Sequence, residues 1–323
     1  MTVNEVYRNR GRGDEFYTRY DSIASEMKNY NLAGMVVYCN ADNPDSSKFV
    51  TYFRDNFKAT GIAKLMATFK TERPFLYEYD GVNERRTPIR SGLFQDNIGL
   101  IRKCDIVITN PPFGGLPLKL IQLLISNGKK FIIIGPRELI QKKDIFDYVR
   151  SGQLRVGNNI VRGFDRPNGE VDNGMNAYWW TNMEVTKPNI PLNSRYDEAL
   201  YPKYDNLDAI EVGKVKNIPS DYSGNMGVPI SFITVFNPNQ FDLVGLLGKP
   251  KINGKGLASR LIIRNKNVHG TANKARRDSF YKENSCINMK KNEIILSEQD
   301  LHFIVEGAVK RILGKFLSPW RTI

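Results

Sequence analysis

A chain of 323 residues, 41% of them hydrophobic and 25% charged, is long enough for two modest domains and has the balance of a soluble globular protein. No apolar run reaches bilayer length and the opening MTVNEVYRNRGRGDEF has no apolar signal core, so neither a membrane span nor secretion is expected. Cys39, Cys104 and Cys286 are too scattered for a disulfide framework and His269 and His302 are the only histidines, which predicts a reducing, cytoplasmic setting and no metal site.

The net charge of +13 is unevenly placed. Residues 1–150 carry 23 basic and 17 acidic side chains (+6), residues 151–250 carry 9 and 11 (−2), and residues 251–323 carry 15 and 6 (+9). A basic segment attracts polyanions at long range and adds affinity without sequence information.

In chain order, a basic, glycine-rich arm (Arg8 to Gly13) gives way to Asp14-Glu15-Phe16-Tyr17-Thr18. An acidic pair, two aromatics and a hydroxyl fit no core pattern. Ser22 to Tyr30 reads as a short helix, which Thr18 or Asp21 can cap. Met35-Val-Val-Tyr-Cys39 is a continuous apolar run suited to a buried parallel strand. It ends in Asn40-Ala-Asp42-Asn43-Pro44. Ser46 and Ser47 can cap the next segment, where Phe49, Val50, Phe53 and Phe57 recur at helical spacing. Ile62 to Phe69 reads as a second strand. Its end, Lys70-Thr-Glu72, has no carboxylate in first position. Phe75 to Tyr79 reads as a short strand of an insertion. Phe94 and Asp96, in SGLFQD, precede a short helix from Ile98 to Arg102, which Asp96 can cap.

The functional reading turns on Cys104 to Phe113, CDIVITNPPF. Asp105 to Thr109 is a strand-length apolar run that stops at Asn110-Pro111-Pro112-Phe113. Two prolines fix φ and remove two backbone donors, so neither strand nor helix continues. A rigid loop at the carboxyl end of a parallel strand lies where ligands bind in open α/β sheets. It offers an amide side chain, a free backbone carbonyl and an aromatic face, the parts that hold a flat base by its exocyclic amine. A bare strand-to-helix turn is the plainer alternative.

Leu116 to Ser126 is an apolar helix stopped by Asn127-Gly128, Lys130 to Gly135 a buried strand, and Lys142 to Arg150 a further helix. The alternation predicts an α/β fold with a parallel sheet and helices on both faces. Beyond residue 150 the rhythm changes. MNAYWWTNMEV reads as a strand that can complete the sheet. Between Pro188 and Gly248 short strands and turns are expected, Phe232 to Phe236 the best strand among them. Asn237-Pro-Asn-Gln reads as a helix start, Leu257 to Ile263 as a strand and Glu298 to Phe316 as a last helix. The expected division is an α/β domain over 1–185 and an irregular region over 186–323 with a basic end. There Lys274, Arg276 and Arg277 fall together without an apolar face, and either phosphate contact or a solvated loop fits them.

The tetrapeptide behind a buried strand looks like the catalytic motif of amino-group methyltransferases, and DEFYT resembles their cofactor arm. Together with VVYCNADNP and the run from YPKYDNLDAIEV to FNPNQF, the chain resembles the EcoRI-type adenine-specific DNA methyltransferases over roughly residues 13 to 265. The resemblance implies an S-adenosylmethionine-dependent methyltransferase fold (a Rossmann-like mixed sheet) followed by a target-recognition region. It also implies methylation of a flipped adenine in duplex DNA, as the modification half of a restriction–modification system with a separate cognate endonuclease. Asn110, Pro111, Pro112 and Phe113 become the catalytic loop. Asp14, Phe16, Tyr17, Thr18, Asn40, Asp42, Asn43, Phe94 and Asp96 become candidates to hold S-adenosylmethionine, with Asp42 near its ammonium and Glu72 a substitute near its ribose. The loop after the first strand lacks the glycines usual in methyltransferases. Lys274, Arg276 and Arg277 are the nucleic-acid candidates. An RNA adenine methyltransferase, a protein glutamine methyltransferase and a catalytically dead nucleic-acid-binding relative are the rival readings.

Overall fold

The computed structural model describes residues 17–268 apart from positions 114, 162, 166–169 and 173–176. Asp14, Phe16, the basic trio Lys274, Arg276 and Arg277, Cys286 and the helix expected after Glu298 lie outside the described residues. In chain order the first elements are β1 (Tyr17–Thr18), α1 (Tyr20–Met27), β2 (Val36–Cys39), α2 (Lys48–Asp55), α3 (Phe57–Thr60), β3 (Lys64–Ala67), β4 (Phe75–Tyr79) and β5 (Glu84–Pro88). Then come α4 (Ile98–Lys103), β6 (Ile106–Thr109), α5 (Leu116–Ser126), β7 (Lys130–Pro136), α6 (Lys143–Arg150), β8 (Arg155–Val161), β9 (Phe164–Asp165), β10 (Val171–Asp172) and β11 (Ala177–Thr181). The last are β12 (Lys203–Tyr204), β13 (Leu207–Glu211), β14 (Asn225–Pro229), β15 (Phe241–Leu247), β16 (Lys251–Ile252), β17 (Lys255–Gly256) and β18 (Arg260–Asn265).

The main sheet has eight strands in the order β5-β4-β3-β2-β6-β7-β11-β8. β3, β2, β6 and β7 run parallel, and the flanking strands pair antiparallel, so the sheet is mixed. The parallel strands are covered on both faces, which is why VVYC, IVIT and FIII carry no polar alternation. Alternate side chains serve opposite faces. Val37, Cys39, Ile106, Ile108 and Ile132 cluster with Ile23 of α1 and Phe49 and Phe53 of α2. Tyr38, Val107, Phe131 and Ile133 cluster with Ile101 of α4, Leu120 of α5 and Ile145 of α6. Helices therefore cover both faces, as the alternation predicted. In β11, fully buried Trp179 and Trp180 divide between the two cores.

A second sheet has five strands in the order β12-β13-β14-β18-β15. Its Ile210, Met226, Phe241, Leu261 and Ile263 join the apolar cluster of α5 and α6, so the two sheets share a core. Two expectations fail here. Phe232 to Phe236 is no strand; Ile230–Thr234 forms a 3-10 helix. The Asn237 run starts no helix, because its polar side chains are used elsewhere. Asn237 Nδ2 donates to Lys187 O at 2.8 Å, and Gln240 Nε2 donates to Ile190 O at 2.8 Å. Both side chains clamp the 187–190 segment, and the chain proceeds as β15. Among the described residues no helix is long and apolar enough to cross a membrane.

Candidate active site

The carboxyl ends of β3, β2, β6 and β7 form one edge of the main sheet. The loop after β2 stays knitted to the end of β3: Thr68 N donates to Cys39 O at 3.0 Å and Asp42 N to Thr68 O at 3.1 Å. Asp42 is the hub of that loop. It is 6% exposed; its Oδ1 accepts from Ser47 Oγ and its Oδ2 from Thr109 Oγ1, both at 2.7 Å. Ser47 in turn caps α2, its Oγ accepting from Phe49 N at 3.1 Å, as the sequence predicted. Burial pushes the Asp42 carboxyl up to about 6, against the downward pull of the Thr109 and Ser47 hydroxyls. Thr109 ends β6 and immediately precedes Asn110, so one buried hydrogen bond ties the two loops together.

In the second loop Asn110 is half-buried, Pro111 and Pro112 are buried and Phe113 is half-buried. The Phe113 ring meets Phe164 edge to face, centroids 6.0 Å apart and planes at 85°. Phe164 is fully buried on β9, where its register partner is Thr18 of β1. The small sheet β1-β9-β10 thus brings Tyr17 and Thr18 toward the proline loop. The role of Phe164 was not legible from the sequence, since a strand of two residues leaves no periodic signal.

The other predicted residues gather less uniformly. Tyr17 is 40% exposed, while Thr18 and Asn40 are 4% and 1% exposed. Asn43 is half-buried and shapes the turn, its Oδ1 accepting from Asp45 N at 3.0 Å. Phe94 is buried in the core. Its segment lies directly on the end of β3: a Cβ on Gly92 would fall 1.7 Å from Phe69 O, so only glycine fits. Asp96 is exposed and accepts from Ser91 Oγ at 2.7 Å. The simpler capping readings are not seen. Asn97 is the N-cap of α4 and Arg19 that of α1, neither with a side-chain cap. Glu72 is exposed.

Among the described residues, Thr18 Oγ1, both polar atoms of the Asn40 side chain and Gln95 Oε1 are buried without a hydrogen-bond partner. Such groups cost about 1–3 kcal/mol each when unsatisfied, and native proteins leave few of them. Asn40 directly follows β2, Thr18 pairs with the residue that supports Phe113, and Gln95 sits in the segment laid on β3. Together with the Asp42 carboxylate they present donors and acceptors suited to a polar ligand carrying amine, carboxylate or hydroxyl groups. Gln95 was not singled out from the sequence.

Comparison with known proteins identifies the family. The family profile described as adenine-specific methyltransferase EcoRI matches residues 7–92 and 88–294. Type II methyltransferase M.EcoRI of Escherichia coli is 35% identical, the match covering 80% of this chain and 95% of that protein. Type II methyltransferases M.MpnI of Mycoplasma pneumoniae and M.MgeORF184P of Mycoplasma genitalium are 32% and 31% identical, each match covering 75% of this chain and 85% of the relative. The chain belongs to the EcoRI family of adenine-specific methyltransferases.

Proposed function

We propose that the protein methylates the exocyclic amino group of a flipped adenine in duplex DNA, with S-adenosylmethionine as donor, in a Rossmann-like methyltransferase domain. The observation that carries this reading is the Asn110–Phe113 loop, joined through Thr109 and Asp42 to a loop with buried, unpartnered polar atoms. The donor fits those residues by its chemistry. Asp42 matches its ammonium, while Asn40, Thr18 and Gln95 match its remaining polar groups and Phe94 an apolar wall. Asp14, Phe16, Tyr17, Asn43 and Asp96 complete the proposed set. When bound, S-adenosylmethionine supplies an electrophilic methyl group on its sulfonium.

The chain's own residues act on the acceptor. The adenine amine is a poor nucleophile because its lone pair is delocalised into the ring. Asn110 accepts one amino hydrogen through Oδ1, and the Pro111 carbonyl accepts the other. Both bonds favour a pyramidal nitrogen with its lone pair directed out of the ring plane. Pro112 holds the loop rigid and Phe113 stacks on the base. The gain lies in orientation and preorganised dipoles, and no strong base is needed before attack. A base inside a duplex cannot reach this loop, so it must be flipped, at an unstacking cost of a few kcal/mol. Residues 1–185 bind donor and adenine; residues 186–323, including Lys274, Arg276 and Arg277, hold and read the duplex. A restriction endonuclease with the same target is the expected separate partner.

The test is incubation with labelled S-adenosylmethionine and separate pools of duplex DNA, RNA and protein. Label in the DNA pool alone, recovered as N6-methyladenine, is the expected result. Label confined to RNA or protein overturns the proposal.

A further inference from the structure

We infer that the hairpin β16–β17, with the cleft beside it, binds the sugar-phosphate backbone of the DNA next to the flipped base. The inference rests on the proposed DNA substrate and assigns part of its docking surface. The cleft measures about 650 Å³ and lies between the turn after β7 and the second sheet, with Arg137 and Gln141 on one wall and Ile230, Lys249 and Ser259 on the other. Its position is set by the register. β7 pairs in parallel with β6, with Thr109 opposite Ile133, and runs on to Pro136. The Arg137–Gln141 turn therefore leaves the same sheet edge as Asn110, one strand over and about 10 Å further along, at roughly 3.3 Å per residue. DNA strands that deliver a base to Asn110 must pass this edge.

The charge there is built for phosphates. Residues 249–256, KPKINGKG, carry Lys249, Lys251 and Lys255 and no acid. All three lysines are exposed, and among the described residues no carboxylate pairs with them. The neighbouring arginines are already committed: Arg137 bonds to Glu138 at 3.1 Å, and Arg260 to Glu211 at 2.8 Å. Glu138 also lines the cleft but is spent on Arg137, so the unpaired positive charge is that of Lys249 in the cleft and of Lys251 and Lys255 on the hairpin beside it.

The hairpin is also held in place. Its Asn253-Gly254 turn has φ of +49° and +76°, the left-handed pair that a tight two-residue turn requires. Asp205 clamps the tip, its carboxylate accepting from Asn253 N at 2.7 Å and Gly254 N at 2.9 Å. Lys249 itself sits at φ +50°, which a non-glycine residue seldom adopts. Ile252 pairs with Lys255 and Lys251 with Gly256, so Lys251 and Lys255 stand on opposite faces of the ribbon. A fixed ribbon with lysines on both faces matches a polyanion with a charge about every 1.7 Å of axis better than it matches a small anion.

The test uses the full chain and compares Lys249→Gln/Lys251→Gln/Lys255→Gln with the control Lys28→Gln/Lys103→Gln/Lys130→Gln. The control lysines are exposed; Lys28 and Lys103 precede β2 and β6 and Lys130 opens β7, all toward the opposite sheet edge, and the net charge change is equal. Duplex DNA and duplex RNA are titrated at several salt concentrations, and donor affinity and methyl transfer are recorded alongside. In the hairpin variant the slope of log affinity for DNA against log salt should flatten by roughly 0.9 for each lost contact. Donor affinity should be unchanged and the control should resemble the unaltered protein. A hairpin variant indistinguishable from the control overturns the inference while leaving DNA methylation standing. Loss seen on RNA but not DNA also overturns it. An unaltered protein that neither binds nor methylates duplex DNA overturns both this inference and the proposed function.

Discussion

The loops after β2 and β6 leave the same edge of the same sheet, yet opposite means hold them. The β2 loop has no glycine and a single proline, Pro44, and hydrogen bonds rather than covalent geometry hold it. Its shape depends on the Asp42 carboxylate, which gathers the Ser47 and Thr109 hydroxyls. The β6 loop depends on two buried prolines and on Phe113 lodged against Phe164. The first is therefore sensitive to protonation and to loss of a hydroxyl. The second is stiff by covalent geometry and indifferent to pH. In the proposed mechanism the first loop admits and releases the donor and the second presents fixed acceptors, and that difference suits the two tasks.

The largest expected effect comes from breaking the stiff loop's chemistry. Asn110→Ala should lower turnover by a factor on the order of 100 to 1,000, since losing one preorganised hydrogen-bonding group typically costs about 2.7–4 kcal/mol. Steady-state transfer to duplex DNA measures it; near-normal turnover in a folded variant would remove Asn110 from the mechanism. Next is the tie between the loops. Thr109→Val keeps the shape but withdraws a hydrogen bond to a buried carboxylate, and should reduce stability to urea by about 1.5–3 kcal/mol. An unchanged denaturation midpoint would mean that the tie carries no weight.

Protonation sharpens the contrast. The folded Asp42 carboxyl titrates near 6 and an unfolded one near 3.8, so between those values the folded state holds the extra proton. Its contribution to stability is fullest below the unfolded value and is lost as pH rises to about 6. Relative to Asp42→Asn, the unaltered protein should therefore lose up to about 1.4 kcal/mol per pH unit across that window. Parallel stability curves for the two proteins would contradict this placement of Asp42. The smallest effect lies outside the loops' cores. Arg86 pairs with Asp45 at the protein surface, and its guanidinium lies 5.0 Å above the Phe75 ring. Arg86→Ala should cost under about 1 kcal/mol, as exposed pairs do; a larger loss in thermal melts would show that the β4–β5 hairpin braces the β2 loop.

How much was legible depends on where the forces act. The buried strands β2, β6 and β7 and helix α5 are local patterns, since apolar runs and helical spacing carry their own burial. The Asn110 loop is legible because proline acts on its own residue and its neighbour. The second sheet is less so. Asn237-Pro-Asn-Gln has the makings of a helix cap, but its amides reach residues 187–190, about fifty positions away, and that contact decides the conformation. Phe164 is silent in the sequence for the same reason, since what matters about it is Phe113, about fifty positions away; Gln95 matters for a buried oxygen that no local pattern signals. Asp42 was noticed as a carboxylate at the right strand end, whereas its hydrogen bond to Thr109 needed the parallel pairing of β2 and β6.

The division of labour between the loops can be measured in a single-turnover experiment with labelled S-adenosylmethionine and duplex DNA. Donor affinity and the transfer rate at saturating donor are determined for Asn40→Ala and Asn110→Ala. Asn40→Ala should weaken donor binding and leave the saturated rate nearly intact; Asn110→Ala should leave donor binding intact and lower the rate by a factor on the order of 100 to 1,000. The reverse pattern, or both variants losing both quantities in equal measure, would contradict the assignment of donor binding to the loop after β2 and of acceptor chemistry to the loop after β6.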